Sequence, residues 1–161
     1  MRSGFLLPQN INGMGRIFLY LAANTFYSYK VIDIEGIGAN YAAKLEAIGI
    51  FTTDDLLEAG SKKSGRTKIA EATSIPESLI LTWVNHADLH RIKGVAGQIA
   101  ELLEAAGVDT VKELAMRNAE NLHTKMMETN EKFGLSGRVP STEALHDMIA
   151  QAKTLEQKVF H

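Results

Sequence analysis

From residue 30 onward the apolar positions of this chain recur three and four apart. Tyr41, Ala42, Leu45 and Ile48 make one such stripe, Ile99, Ala100, Leu103 and Ala106 a second, and Leu79, Ile80, Trp83, Val84 and Ala87 a third. That spacing places each set on one face of a helix and predicts amphipathic helices packed on a common interior. The first two stripes each stop at a glycine, Gly49 or Gly107, the residue that closes a helix in the left-handed conformation without a Cβ penalty. Ile50 or Val108 follows, and then a threonine with an acid three residues on, Thr52 with Asp55 and Thr110 with Glu113. A threonine and an acid at that spacing can cap a new helix reciprocally. Further helices are predicted to open at Ser74-Ile75-Pro76-Glu77 and at Pro140-Ser141-Thr142-Glu143, while NEKFGLSGRVP between Asn130 and Pro140 reads as a surface loop. No stretch alternates with period two for long enough to make a strand, so the predicted fold class is all-α.

The stripes belong to a longer repetition. IEGIGANYAAKLEAIGIFTTDDL from Ile34 aligns without gaps on IKGVAGQIAELLEAAGVDTVKEL from Ile92. The identities are Ile34/Ile92, Gly36/Gly94, Ala42/Ala100, Leu45/Leu103, Glu46/Glu104, Ala47/Ala105, Gly49/Gly107, Thr52/Thr110 and Leu56/Leu114, all at turns, caps or predicted buried faces. An internal duplication follows, and with it a division into residues 1–30, a first unit 31–89 and a second unit 90–161.

A length of 161 residues with 45% hydrophobic and 22% charged residues suits one compact body or two small packed units. The absence of cysteine excludes disulfides, thiolate nucleophiles, iron–sulfur clusters and cysteine zinc sites. Formal charge is −2, yet residues 1–30 carry Arg2, Arg16 and Lys30 and no acid, so the repeats are the acidic part. Binding to nucleic acid would therefore have to use local basic patches. Residues 1–30 also differ in being rich in aromatics. Their apolar run, Ile17 to Ala23, is far too short to span a bilayer, so no transmembrane segment is expected there. Three roles remain open for this segment: docking onto a protein partner, targeting, or an extension without function. The expected location is cytoplasmic, or organellar if the segment derives from a targeting sequence.

IDIEGIGANYAAKL, with Ile34, Gly36, Ile37, Gly38 and Ala42, resembles the helix-hairpin-helix motif, in which a hydrophobic residue, Gly-hydrophobic-Gly and a small residue recur at these offsets. Over residues 30–155 the chain resembles an uncharacterised, mainly bacterial domain-of-unknown-function family of tandem helix-hairpin-helix-like units, and its hairpins are similar to SAM-like folds and to the C-terminal domain of the bacterial RNA polymerase α subunit. In members of the motif that bind DNA, amides of the turn and of the following helix start hold a backbone phosphate without reading bases. The resemblance implies that role for Gly36, Ile37, Gly38 and Ala39, and for Gly94, Val95, Ala96 and Gly97. Two positions depart from the pattern: Ala96 stands where the second glycine belongs, and Asn40 and Gln98 stand where DNA-binding versions commonly carry a lysine or arginine. The alternative is a helix-joining turn whose isoleucine fills the core.

Cations that would complete a phosphate site are Arg91 and Lys93, which flank the second hairpin, and Lys62, Lys63, Arg66 and Lys68 in SKKSGRTK, read as a basic surface loop leading into a helix at Ile69. His86 and His90 stand four apart, the spacing of paired metal ligands on a helix, but Ile92 already opens the next hairpin, so the helix is expected to stop short of His90 and no metal site is expected. Capping accounts for Asp55 and its neighbour Asp54, and the acidic group they form with Glu58 is not expected to be catalytic. Trp83 is expected in the core. The leading expectation is a non-enzymatic, cofactor-free module that binds DNA or RNA backbone through its hairpins. The alternative is an assembly subunit whose hairpins do not bind DNA and which docks into a protein complex through residues 1–30.

Overall fold

The computed structural model describes residues 28–161. Among them are eight α-helices and a short 3₁₀ turn at Val31–Asp33; the only pairing of extended backbone is an isolated antiparallel bridge between Lys30 and Thr52. The fold is all-α, as the helical periodicity requires. The expectation for residues 1–30 falls, apart from its last three, outside the described residues.

In the first unit, α1 (Ala39–Glu46) is followed by α2 (Thr53–Gly60), α3 (Lys63–Thr73) and α4 (Glu77–Leu89). In the second, α5 (Gly97–Ala105) leads to α6 (Val111–Ala115), α7 (Ala119–Phe133) and α8 (Thr142–Thr154). Local geometry recurs along the repeat. The Ile34 amide donates to Val31 O at 3.1 Å and the Ile92 amide to Leu89 O at 3.1 Å; Ala42 donates to Gly38 O and Ala100 to Ala96 O, both at 2.9 Å. Gly36 and Gly94 have φ of 87° and 95°, Gly49 and Gly107 88° and 94°. These four positions lie in the region that side chains with a Cβ avoid, which explains why the repeat keeps glycine at each.

The threonine caps form as well. Thr52 Oγ1 accepts the Asp55 amide and Asp55 Oδ2 accepts the Thr52 amide, both at 3.1 Å. Thr110 Oγ1 accepts the Glu113 amide at 3.4 Å, while the longer Glu113 side chain reaches one residue further back, to the Asp109 amide at 2.7 Å.

Two apolar cores result. Ile34, Leu45, Leu56, Ile80 and Trp83 fill the first; Ile92, Leu103, Leu114, Met126 and Leu145 fill the second. Each such side chain contributes about 1.5–3 kcal/mol by leaving water. Helix α4 runs through both, with Ala87 in the first core and Leu89 in the second. A second link is the extended segment after α8. Leu155 packs on the second core, the Glu156 carbonyl accepts from Arg91 at 2.9 Å, and Val159 is buried in the first core.

Two local expectations are corrected. SKKSGRTK is not a loop: α3 begins at Lys63, and Gly65 is what lets it, because a Cβ there would lie 2.0 Å from Ala59 O. Contact with backbone needs no apolar side chain, so a polar stretch packs closely. Helix α4 ends at Leu89, short of His90 as expected, with His90 as its C-cap. Helix α7 continues to Phe133, so only the latter part of NEKFGLSGRVP is loop.

Candidate functional site

Both hairpins lie at the surface. In the first, Gly36, Gly38 and Ala39 are exposed while Ile37 is buried; in the second, Gly94 and Ala96 are exposed, Val95 is buried and Gly97 is half-buried. The apolar middle residue of each turn therefore anchors the hairpin in its core, as the helix-joining alternative requires. Gly38 and Ala96 cap α1 and α5 without any side-chain hydrogen bond. The first-turn amides of both helices thus keep the partial positive charge of a helix start.

The charges around the two helix starts decide what they can hold. Asp33 and Glu35 flank the first hairpin, both exposed. Glu35 also reaches the second: a Cβ at Gly97 would lie 3.2 Å from its Cγ and 3.3 Å from its Oε1, with Asp33 O also at 3.3 Å. The two hairpins are therefore neighbours, and a carboxylate from the first lies against the helix start of the second. That placement is favourable for the helix dipole and opposes a second anion.

The predicted cations divide into two groups. Arg91 is committed within the fold: its Nη1 donates to Asp88 Oδ1 at 2.6 Å and its Nη2 to Glu156 O at 2.9 Å. Arg66 is only 3% exposed, donating to Gly60 O at 2.9 Å, Ser61 O at 3.3 Å and Phe160 O at 3.0 Å, so it is not part of a surface patch. Lys62, Lys63, Lys68 and Lys93 are exposed. The Lys93 backbone is nevertheless tied to α8, its amide donating to Gln151 Oε1 at 2.9 Å. Among the described residues nothing beyond Gly38's own chain neighbours and helix lies within 4 Å of where a Cβ would be, so the first helix start is open to them.

Sequence reasoning missed two features. Arg66 shares the buried stripe of α3 with Ile69 and Thr73, three and seven residues on, a periodicity that signals an inward residue despite its charge. The second is a set of three large apolar side chains left in solvent on the first unit: Ile32 (46% exposed), Ile48 (40%) and Phe51 (54%). Their repeat counterparts are His90, Ala106 and Asp109, of which His90 and Ala106 are buried and Asp109 half-buried. The Val31 amide donates to Phe51 O at 3.0 Å, which brings Ile32 and Phe51 onto adjacent backbone.

The histidines on α4 are buried between the units. His86 Nε2 bonds the Glu104 carboxylate, and among the described residues neither ring nitrogen of His90 has a hydrogen-bond partner. Asp88 is buried too, accepting from the Val111 amide at 2.8 Å; burial pushes its carboxyl above the usual range against the opposing pull of that amide and of Arg91. Among the described residues no group of three His, Cys, Asp or Glu side chains is arranged to hold a metal. An open concavity of about 460 Å³ beside α7, lined by His123, Met127, Glu128, Glu131 and Val139 among others, contains none of the predicted site residues. No helix among the described residues is long and apolar enough to cross a membrane.

Residues 35–155 match the family described as a domain of unknown function, DUF4332, and the chain belongs to that family. No curated protein and no solved structure matches it.

Proposed function

We propose that this DUF4332 member is a non-enzymatic protein-binding module, an assembly subunit that docks through the apolar side chains its first unit leaves in solvent. The observation that carries this reading is the contrast between the copies. Ile32, Ile48 and Phe51 stand in solvent where the second copy has His90, Ala106 and Asp109. Side chains of this size left exposed beside a turn favour a partner surface with complementary apolar groups. Residues 1–30, apolar and aromatic, are the second element of such docking. The Glu35 carboxylate supports the same reading, since it opposes a phosphate at the second helix start.

The test is capture of partners with the tagged full-length chain, before and after Ile48→Asp with Phe51→Asp. Both side chains are already in solvent, so the paired variant should keep its helix content while losing its specific partners. Partners retained at unchanged yield would overturn the reading.

A second reading, contact with DNA or RNA backbone, rests on the open space at Gly38 and the exposed Lys62, Lys63 and Lys68. It predicts gel-shift binding that weakens steeply with salt and is lost on Lys62→Glu, Lys63→Glu and Lys68→Glu together. The docking reading predicts no such shift.

A further inference from the structure

The segment following α8 is held by a built receptor rather than by general surface contact. Val159 is 3% exposed and belongs to the first core. The Phe160 amide donates to Ser61 O at 2.8 Å, and Phe160 O accepts from Arg66 Nη2 at 3.0 Å. Both backbone polar groups of one residue are thus matched, while its ring remains 45% exposed. Arg66 is itself fixed by Gly60 O and Ser61 O at the end of α2, where the helix dipole favours a cation. The receptor recognises an extended dipeptide: an apolar side chain inward, followed by a residue read through its main chain.

We propose that this cleft between α2 and α3 also receives residues 155–161 of a second copy, so that the chain associates by exchanging the segment. Three observations point to exchange rather than permanent closure. The segment leaves α8 through Thr154, Glu156, Gln157 and Lys158, which are exposed and outside any helix after Thr154. Its main holds on the first unit are the buried Val159 side chain and two hydrogen bonds to the Phe160 main chain, all of which a second copy can remake unchanged. An empty cleft would strand a buried guanidinium donor and expose part of the core, so departure of one occupant favours entry of another. This proposal concerns a different surface from the first hairpin and stands or falls separately from the docking reading.

The chain has no cysteine, so single cysteines report the exchange in the full-length protein. Ser61→Cys mixed with Phe160→Cys at high concentration and then oxidised should give a covalent heterodimer. Its yield should exceed by about tenfold that of Ser61→Cys mixed with Met116→Cys, because pairing through a cleft raises effective concentration. A labelled peptide of residues 155–161 supplies the second measurement. It should bind the full-length Val159→Asp chain about tenfold or more tighter than the parent, whose own tethered segment competes at roughly millimolar effective concentration. Phe160→Pro, which removes the amide that Ser61 accepts together with the ring while leaving Val159 in place, should show the same gain and keeps the test decisive if Val159→Asp fails to fold. A heterodimer yield no greater than the control, or equal peptide affinity for the parent and for every folded variant, would overturn the proposal.

Discussion

His90 is 1% exposed, and its ring lies edge-on to Tyr29 with centroids 4.9 Å apart. Burial is the main reason its pKa falls to about 4; the neighbouring His86 adds to the lowering, and Asp33 opposes it. In the unfolded chain the ring takes up a proton near its ordinary value of about 6.5. Below that pH the unfolded state binds a proton that the folded state refuses. Stability is therefore complete above about pH 6.5 and declines as pH drops toward about 4. Between pH 7 and pH 5 the loss from this residue is about 2 kcal/mol, the size expected from linkage for such a separation of pKa values. Unfolding free energies from urea titrations should fall between pH 7 and pH 5 by about that much more in the parent than in His90→Leu; an equal fall in both would show that His90 is not the group responsible. Nothing in the sequence marked this histidine as buried without partners. Its spacing from His86 signalled a shared face, whereas the lack of a bonding partner depends on Tyr29, which comes from elsewhere in the chain. Arg66 differs, because its place on the stripe with Ile69 and Thr73 was readable; its charge and polar neighbours hid an inward position that main-chain carbonyls make tolerable.

At the scale of the element, the hairpins were legible because their requirements are local. A glycine at positive φ, an apolar anchor three residues after the leading isoleucine and a threonine cap each leave a mark at a fixed offset, and the structure places all three in both copies. The glycines of one turn are nevertheless not equivalent. Gly36 and Gly94 carry positive φ, whereas Gly38 has φ −82° and open space around its missing Cβ. Alanine at Gly36 should cost about 1–2 kcal/mol, the penalty of the left-handed region for an L-residue. Gly94→Ala should cost more, since its Cβ would also press to 3.1 Å on Met148 Cε. Gly38→Ala should stay within about 0.5 kcal/mol. Chemical denaturation of the three variants reads this order directly, and equal losses at Gly36 and Gly38 would mean that φ is not what selects glycine there. The periodicity of α1 had a blind side. It set Ile48 on the apolar stripe, but a stripe only names a face, and at the end of α1 nothing among the described residues covers it enough to exclude solvent.

On the scale of the whole molecule, the repeat suggests two bodies while the packing joins them. Helix α4 contributes Trp83, Val84 and Ala87 to one core and Leu89 to the other, and Val159 returns from beyond α8 to the first. The return was invisible in the sequence, because a short extended segment has no period to detect and its partners, Ser61 and Arg66, lie about a hundred residues away. Its consequence is cooperative unfolding. Losing the second unit would withdraw Val159 and release the end of α4, so the first core would be left open at two points. The single tryptophan lies in the first core, which makes its fluorescence a local probe, whereas far-UV circular dichroism reports helices of both units. The two transitions in urea should superimpose, as a single two-state event requires. Val159→Ala should shift both midpoints together, by the amount that corresponds to about 2 kcal/mol of unfolding free energy, the scale of a truncated buried aliphatic side chain. Should the variant instead lower the fluorescence midpoint and leave a separate transition by circular dichroism, the segment would be the bond that makes the units one. Transitions already separated in the parent would show that α4 and Val159 do not couple the cores, and the repeats would then be independent folding units in a shared chain.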